Sequence, residues 1–264
     1  MTHYTEPAKS GMTSTLTSAL SLFALLAATA FATRQAASAE DPIRPTTNAI
    51  QATTALSITH GPFLQAPSET AITVSWATSG KCVSRVEYRP ESSTRWLTNI
   101  SAHHGLVDAD VTIHNVKLAD LEAGTPYRYR VVSREIVEFK AYKVTYGATV
   151  ASAEYHFTTL DARKPVTSFV VVNDRHEHVA PLAGSLAKVD WSIVDLAFLN
   201  GDMVNSVRDE PQLYQCVVDP CVQSFATRTP LVYVRGNHDT RGGLARRLLD
   251  YFPTDSGRYY YTLL

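Results

Sequence analysis

Apolar and polar positions along this 264-residue chain change rhythm three times. The first pattern is a mostly apolar run from Leu16 to Ala32, centred on Leu20, Leu22, Phe23, Leu25 and Leu26. It follows a short polar leader containing Lys9 and ends in small residues, Ala37-Ser38-Ala39. That layout predicts a secretory signal peptide over 1–39, cleaved after Ala39, with Ala32 as a second candidate position. The uninterrupted apolar stretch is short for a span of about 20 residues. No membrane span is therefore expected after cleavage, and the protein is expected to be secreted or periplasmic. Residues 40–55 are rich in Thr, Ala and Pro without periodicity and read as a linker.

Over 56–161 the period becomes two. Thr70-Ala71-Ile72-Thr73-Val74-Ser75-Trp76, Arg85-Val86-Glu87-Tyr88-Arg89, Tyr127-Arg128-Tyr129-Arg130-Val131 and Tyr155-His156-Phe157-Thr158-Thr159 are strand patterns, separated by turn residues such as Ala123-Gly124-Thr125-Pro126. About 100 residues of short alternating strands predict a small β-sandwich. Over 165–264 continuous apolar runs take over: Phe169-Val170-Val171-Val172, Leu196-Ala197-Phe198-Leu199 and Leu231-Val232-Tyr233-Val234. Between them lie helical patterns, Pro181 to Trp191 with Leu182, Leu186 and Val189 on one face, and Glu210 to Thr227 with Leu213, Val217 and Phe225 inward and a break near Pro220. Strand, helix, strand, helix, strand predicts an α/β unit with a largely parallel sheet. Strands apolar on both sides suit a sheet covered on both faces.

Charge changes this picture little. A net charge of −1 provides no global basic field, so nucleic acid is not an expected partner. Cys82, Cys216 and Cys221 are odd in number and widely spaced, which predicts free, buried thiols rather than a disulfide scaffold. His103-His104 reads as a loop pair with no carboxylate suitably spaced beside it. Asn99-Ile100-Ser101 fits a glycosylation acceptor, relevant only in a eukaryotic secretory route.

The chemistry lies where the three continuous runs end. Each is followed by a polar cluster: Asn173-Asp174-Arg175-His176, Gly201-Asp202 and Gly236-Asn237-His238-Asp239. In an open α/β sheet, ligands bind beyond the carboxyl ends of the strands. Adjacent strands lie about 4.8 Å apart, so side chains at their tips reach metals about 3.5–4 Å apart. Carboxylate and amide oxygens with imidazole suit Mn, Zn or Fe. No Gly-x-Ser-x-Gly elbow is present to suggest a serine hydrolase.

Two resemblances follow from these residues. Leu118-Ala119-Asp120-Leu121-Glu122-Ala123-Gly124-Thr125-Pro126-Tyr127 resembles the tyrosine-corner stretch of fibronectin type III-like domains, in which a Tyr hydroxyl bonds back to the backbone. The resemblance makes Trp76 a core aromatic. The ordered set Asp174-x-His176, Gly201-Asp202 and Gly236-Asn237-His238-Asp239 resembles the calcineurin-like metallophosphoesterases, and the fibronectin-like region before it resembles the layout of purple acid phosphatases.

This resemblance implies that Asp174 and His176 hold a first metal, Asp202 bridges two, and Asn237 holds the second. It implies that His238 contacts the phosphate ester and acts as an acid, with Asp239 orienting it. Two departures qualify the likeness. Purple acid phosphatases carry a Tyr ligand where Asn205 stands here, and lack the His found at 176, so a colourless Mn, Zn or Fe enzyme is implied. The family also uses two later His motifs, one of them Gly-His-x-His, and no His follows His238. The sequence is thus expected to hold only the N-terminal half of the catalytic domain, with impaired activity. The rival expectations are a non-catalytic secreted binding or adhesion module, or another two-metal hydrolase such as a 5′-nucleotidase.

Overall fold

The computed structural model describes residues 55–254. The predicted leader, nearly all of the predicted linker and Tyr259–Leu264 lie outside the described residues. The alternating region forms β1 (Ile58–Gln65), β2 (Ile72–Pro90), β3 (Leu97–Asn99), β4 (Ala102–His103), β5 (Leu106–Val107), β6 (Val111–Leu118), β7 (Pro126–Lys140), β8 (Lys143–Ala151) and β9 (Tyr155–Thr158). β2 serves both layers. Its first half pairs with β1 and β6, and its second half, beyond a register irregularity between Ala77 and Cys82, pairs with β3 and β7.

The period-two pattern sends Ile72, Val74, Trp76, Val86, Val116, Leu118, Tyr129, Val131 and Phe157 into one apolar core between the layers. Trp76 is 1% exposed, and its indole N–H donates to Ser133 Oγ at 2.9 Å. The tyrosine corner is formed: the Tyr127 hydroxyl accepts from Glu122 N at 2.9 Å, and Gly124 turns the chain with φ +63°. A side chain at 124 would displace the Asp161 carboxylate, and the positive φ is the stronger reason for glycine there. His103, read as lacking a carboxylate, does find one. Asp108 lies 2.8 Å from its Nδ1 across the small β4–β5 hairpin, a contact made by the turn rather than by sequence spacing.

The continuous runs form β10 (Phe169–Val172), β11 (Leu196–Asn200) and β12 (Leu231–Val234), paired in parallel and in step: Val172 faces Leu199, and Asn200 faces Val234. Between them lie α1 (Val179–Leu186), with Leu182 and Leu186 buried, and a longer helical stretch. That stretch opens as α2 (Glu210–Leu213), capped by Asp209, whose side chain accepts from Gln212 N. It continues into α3 (Asp219–Ser224) through a π-helical turn, Tyr214–Val218. The break expected near Pro220 is therefore a local widening. A proline lacks the N–H for the ordinary ladder, and the π turn just before it absorbs the missing bond while Leu213, Val217 and Phe225 stay buried. A last short helix, α4 (Leu248–Tyr251), follows.

The sheet does not stop at residue 161. β1 pairs in parallel with β12 through Gln65 and Leu231, so one sheet runs β10-β11-β12-β1-β2-β7-β8. Phe63 and Ala77, from β1 and β2, belong to the same apolar cluster as Leu182, Leu213, Phe225 and Tyr233. Polar contacts reinforce the seam. Leu64 N donates to Ala226 O at 2.9 Å, Tyr129 Oη to Thr227 O at 2.8 Å, and buried Gln65 Nε2 to Tyr251 O at 2.9 Å. His60 stacks on Tyr214 with ring centroids 4.1 Å apart, while its Nδ1 lies 2.9 Å from Asp219. Among the described residues no helix is long and apolar enough to cross a membrane.

Candidate metal centre

Three loops leave the carboxyl ends of β10, β11 and β12, and backbone hydrogen bonds knit them together. Asp174 N donates to Gly201 O at 3.2 Å, His176 N to Asp202 O at 3.1 Å and Glu177 N to Met203 O at 2.9 Å. The third loop is tied in by carboxylates. Asp202 Oδ1 accepts from His238 N at 2.8 Å. Asp239, fully buried, takes both Gly236 N at 2.8 Å and Asp202 N at 2.9 Å on its Oδ2.

Two glycines permit this closeness. A Cβ at Gly201 would lie 2.7 Å from Gly236 Cα, and one at Gly236 would lie 2.4 Å from Asp202 Oδ1. Neither position has room for any other residue. The loops are also strained. Asp174, His176, Glu177 and Asp202 have φ of 51°, 48°, 69° and 53°. A left-handed backbone costs a residue with a side chain roughly 1–2 kcal/mol. Strain of this kind persists only where surrounding structure enforces it, and it concentrates at functional sites.

The result is a compact set of ligating groups. His176, Asp202 and His238 each offer one ligand atom, all within 4.8 Å of one another. The two imidazoles sit edge to face, 4.5 Å apart at 77°. His238 Nδ1 lies 3.1 Å from Asn205 O, which can only accept, and 3.2 Å from Arg241 Nη1, which can only donate, so its two neighbours favour opposite tautomers. His176 Nδ1 is buried with no hydrogen-bond partner in the described structure.

Asp174 stands at the rim. Its carboxylate is 62% exposed, with Oδ1 3.7 Å from His176 Nε2 and outside the three-residue group. Asn173 Nδ2 donates to its other oxygen at 2.5 Å. Asn237 is exposed beside His238 on the same turn. The role expected of Asp239 is filled differently. A carbonyl, Asn205 O, orients the His238 ring, whereas Asp239 clamps two loop amides.

Glu177 was not singled out by its sequence context, yet it anchors the His176 loop. It accepts from Asn205 N, Arg208 Nη1 and Gln212 Nε2 at 3.1, 3.0 and 2.8 Å. Burial raises its pKa, but the hydrogen bonds, Arg208's first, outweigh burial and hold the carboxyl below its ordinary value. Tyr233, under the clamp, has its phenol pushed well above the ordinary value by burial and then by the Asp239 carboxylate. Neither the Tyr233 hydroxyl nor Asp239 Oδ1 has a hydrogen-bond partner among the described residues. His178 is exposed at the start of α1.

Residues 62–159 match the family described as purple acid phosphatase, N-terminal domain. Among solved structures, a purple acid phosphatase from yellow lupin (Lupinus luteus) seeds is similar with a TM-score of 0.56 and 16% identity, over 76% of this chain and 42% of that one. PhoD is similar with a TM-score of 0.44 and 11% identity, over 68% of this chain and 38% of that one. A human fibronectin type III domain gives 0.27 and 15%, over 44% of this chain and 96% of that one. A search of curated proteins gave no match. The chain thus has the fold of a purple acid phosphatase N-terminal sandwich running into an α/β unit, as the sequence resemblance implied. It spans less than half the length of either the lupin purple acid phosphatase or PhoD.

Proposed function

We propose that this chain contributes to an exported, metal-dependent phosphoesterase acting on phosphate mono- or diesters, with two divalent ions, Mn, Zn or Fe, at the strand ends. The observation that carries the reading is the His176–Asp202–His238 group, together with the orphaned Nδ1 of His176. A buried imidazole nitrogen without a partner is costly unless something binds it, and an imidazole beside a carboxylate is a donor set for such ions. Asp174 and His176 would hold one ion, Asp202 would bridge, and Asn237 would hold the other. When bound, the metals would polarise the phosphoryl oxygens and lower the pKa of a coordinated water.

The protein's own residues supply the rest. The Asp239 clamp and the paired glycines fix the distance between the Asp202 and His238 loops. Asn205 O and Arg241 hold the Nδ1 side of the His238 ring, so the ring would present Nε2 for proton exchange with the ester oxygen. Export rests on the apolar leader at 16–32.

The test is Mn titration of the purified chain, read by electron paramagnetic resonance and calorimetry, alongside hydrolysis of p-nitrophenyl phosphate and its bis ester. Specific Mn uptake, weakened about tenfold or more in Asp202→Asn, is expected. Binding too weak to saturate, or equal in wild type and Asp202→Asn, would sink the proposal.

A further inference from the structure

A second feature lies far along the chain from this centre, on the sandwich. The outer face of the sheet formed by the second half of β2 and by β7 is built from the alternate residues that do not enter the core. On β2 these include Arg85, Glu87 and Arg89; on β7 they are Arg128, Arg130 and Arg134, with buried Val132 between the last two. Register sets them side by side, with Glu87 facing Arg130 and, unusually, Arg89 directly facing Arg128. Like charges directly opposite on a sheet destabilise it.

Two aromatic rings join the row. Trp96 lies against Arg89 and Arg130, whose guanidinium carbons are 5.1 and 4.9 Å from the ring centroid, and Tyr146 lies 4.3 Å from that of Arg134. The nearby carboxylates are too few to neutralise these charges. Glu87 is shared by Arg85 and Arg130, and Glu91 pairs with Arg128 at 3.1 Å. The guanidiniums of Arg89 and Arg134 have no carboxylate partner in the described structure, and exposed His156 extends the row opposite Arg128.

We infer that this face is a binding surface for an acidic polysaccharide, a linear chain of carboxylate- or sulfate-bearing sugars. Three observations support it. Arg128 to Arg134 spans six residues of strand, about 20 Å, a row that suits an extended polyanion better than one small anion. Every cation in the row is arginine, whose planar fork grips two oxygens of a carboxylate or sulfate at once. Stacking on Trp96 and Tyr146 fixes the guanidinium planes and leaves N–H edges at their rims. The charge is local, since the whole chain carries a net −1. Single-stranded nucleic acid fits less well, because it needs free aromatic faces for its bases, and each ring here already has a guanidinium against it.

The experiment uses the full chain with polygalacturonate, heparin and a single-stranded DNA oligomer of comparable charge. Binding is followed by calorimetry and by Trp fluorescence across a salt series. Salt-sensitive binding of polygalacturonate or heparin is expected. Arg128→Gln/Arg134→Gln should weaken it about tenfold or more, Arg128→Lys/Arg134→Lys should recover only part, and Arg246→Gln, on a different surface, should leave it unchanged. Thermal melts of each variant verify folding. The inference is overturned if neither polysaccharide binds at low salt, if the double Gln variant binds like wild type, or if the DNA binds more tightly than both. None of these outcomes bears on metal uptake by Asp202 and its neighbours.

Discussion

His114 should make the sandwich sensitive to mild acid. The ring is 5% exposed on β6, 5.0 Å from Trp76, with Nε2 3.0 Å from Thr78 Oγ1 and 3.4 Å from Ser84 Oγ. Burial pushes its pKa from 6.5 to about 4, against a weaker upward pull from Asp108. The unfolded chain therefore binds the proton over a range where the folded chain does not. Stability is intact above the unfolded value of 6.5, falls as pH drops towards 4, and the loss is complete below that. At 1.36 kcal/mol per pH unit, the full loss is about 3 kcal/mol, and roughly 2 kcal/mol of it has appeared by about pH 4.5.

The perturbation is His114→Gln, which keeps a polar partner for Thr78 and removes the titration. Urea unfolding at about pH 7 and about pH 4.5 measures the effect. With a slope of about 2 kcal/mol/M, the wild-type midpoint should fall roughly 1 M further than the variant's. Carboxylates that weaken in acid act on both proteins and cancel in the difference. Equal midpoint shifts in the two would show that burial of His114 does not govern its titration.

Two further outcomes follow from close packing. Gly236→Ala places a methyl group 2.4 Å from Asp202 Oδ1, so Mn affinity and melting temperature should fall together, with a stability loss of about 1–3 kcal/mol. An unchanged melt would mean that the loops separate freely. Gln65→Ala removes the donor to Ser75 Oγ and Tyr251 O, leaving Ser75 Oγ its bond to Asn115 but Tyr251 O without that partner; urea titration should show about 1–3 kcal/mol lost in one transition common to fluorescence and circular dichroism. Two separate transitions would indicate that the seam across β1 does not couple the two parts.

Much of this was legible in the sequence, for identifiable reasons. The core of the sandwich could be read because period two sorts Val74 and Trp76 from their neighbours, and the tyrosine corner because its residues are local. The clusters at 174, 202 and 236 were legible because residue type and strand-end position coincide. Asn205 was not, because it acts through its backbone carbonyl, which every residue has. Glu177 was hidden because its partners, Arg208 and Gln212, lie some thirty positions away. The arginine row was half visible: alternation within β2 and β7 showed, but only register brings Arg89 against Arg128. The widening before Pro220 escaped because a proline signals interruption without specifying its form.

The pairing of Gln65 with Leu231 also has a consequence in time. One side of β1 can zip onto β2 as soon as both have been made, but its other side awaits a residue about 165 positions further along. At roughly 5–20 residues per second, a ribosome takes about 10–30 s to deliver it. For that interval the end of the nascent strand keeps unpaired amides and carbonyls, including the Leu64 N–H that later meets Ala226. A chaperone would have most to protect in this window, and a stalled chain would be caught with that edge open.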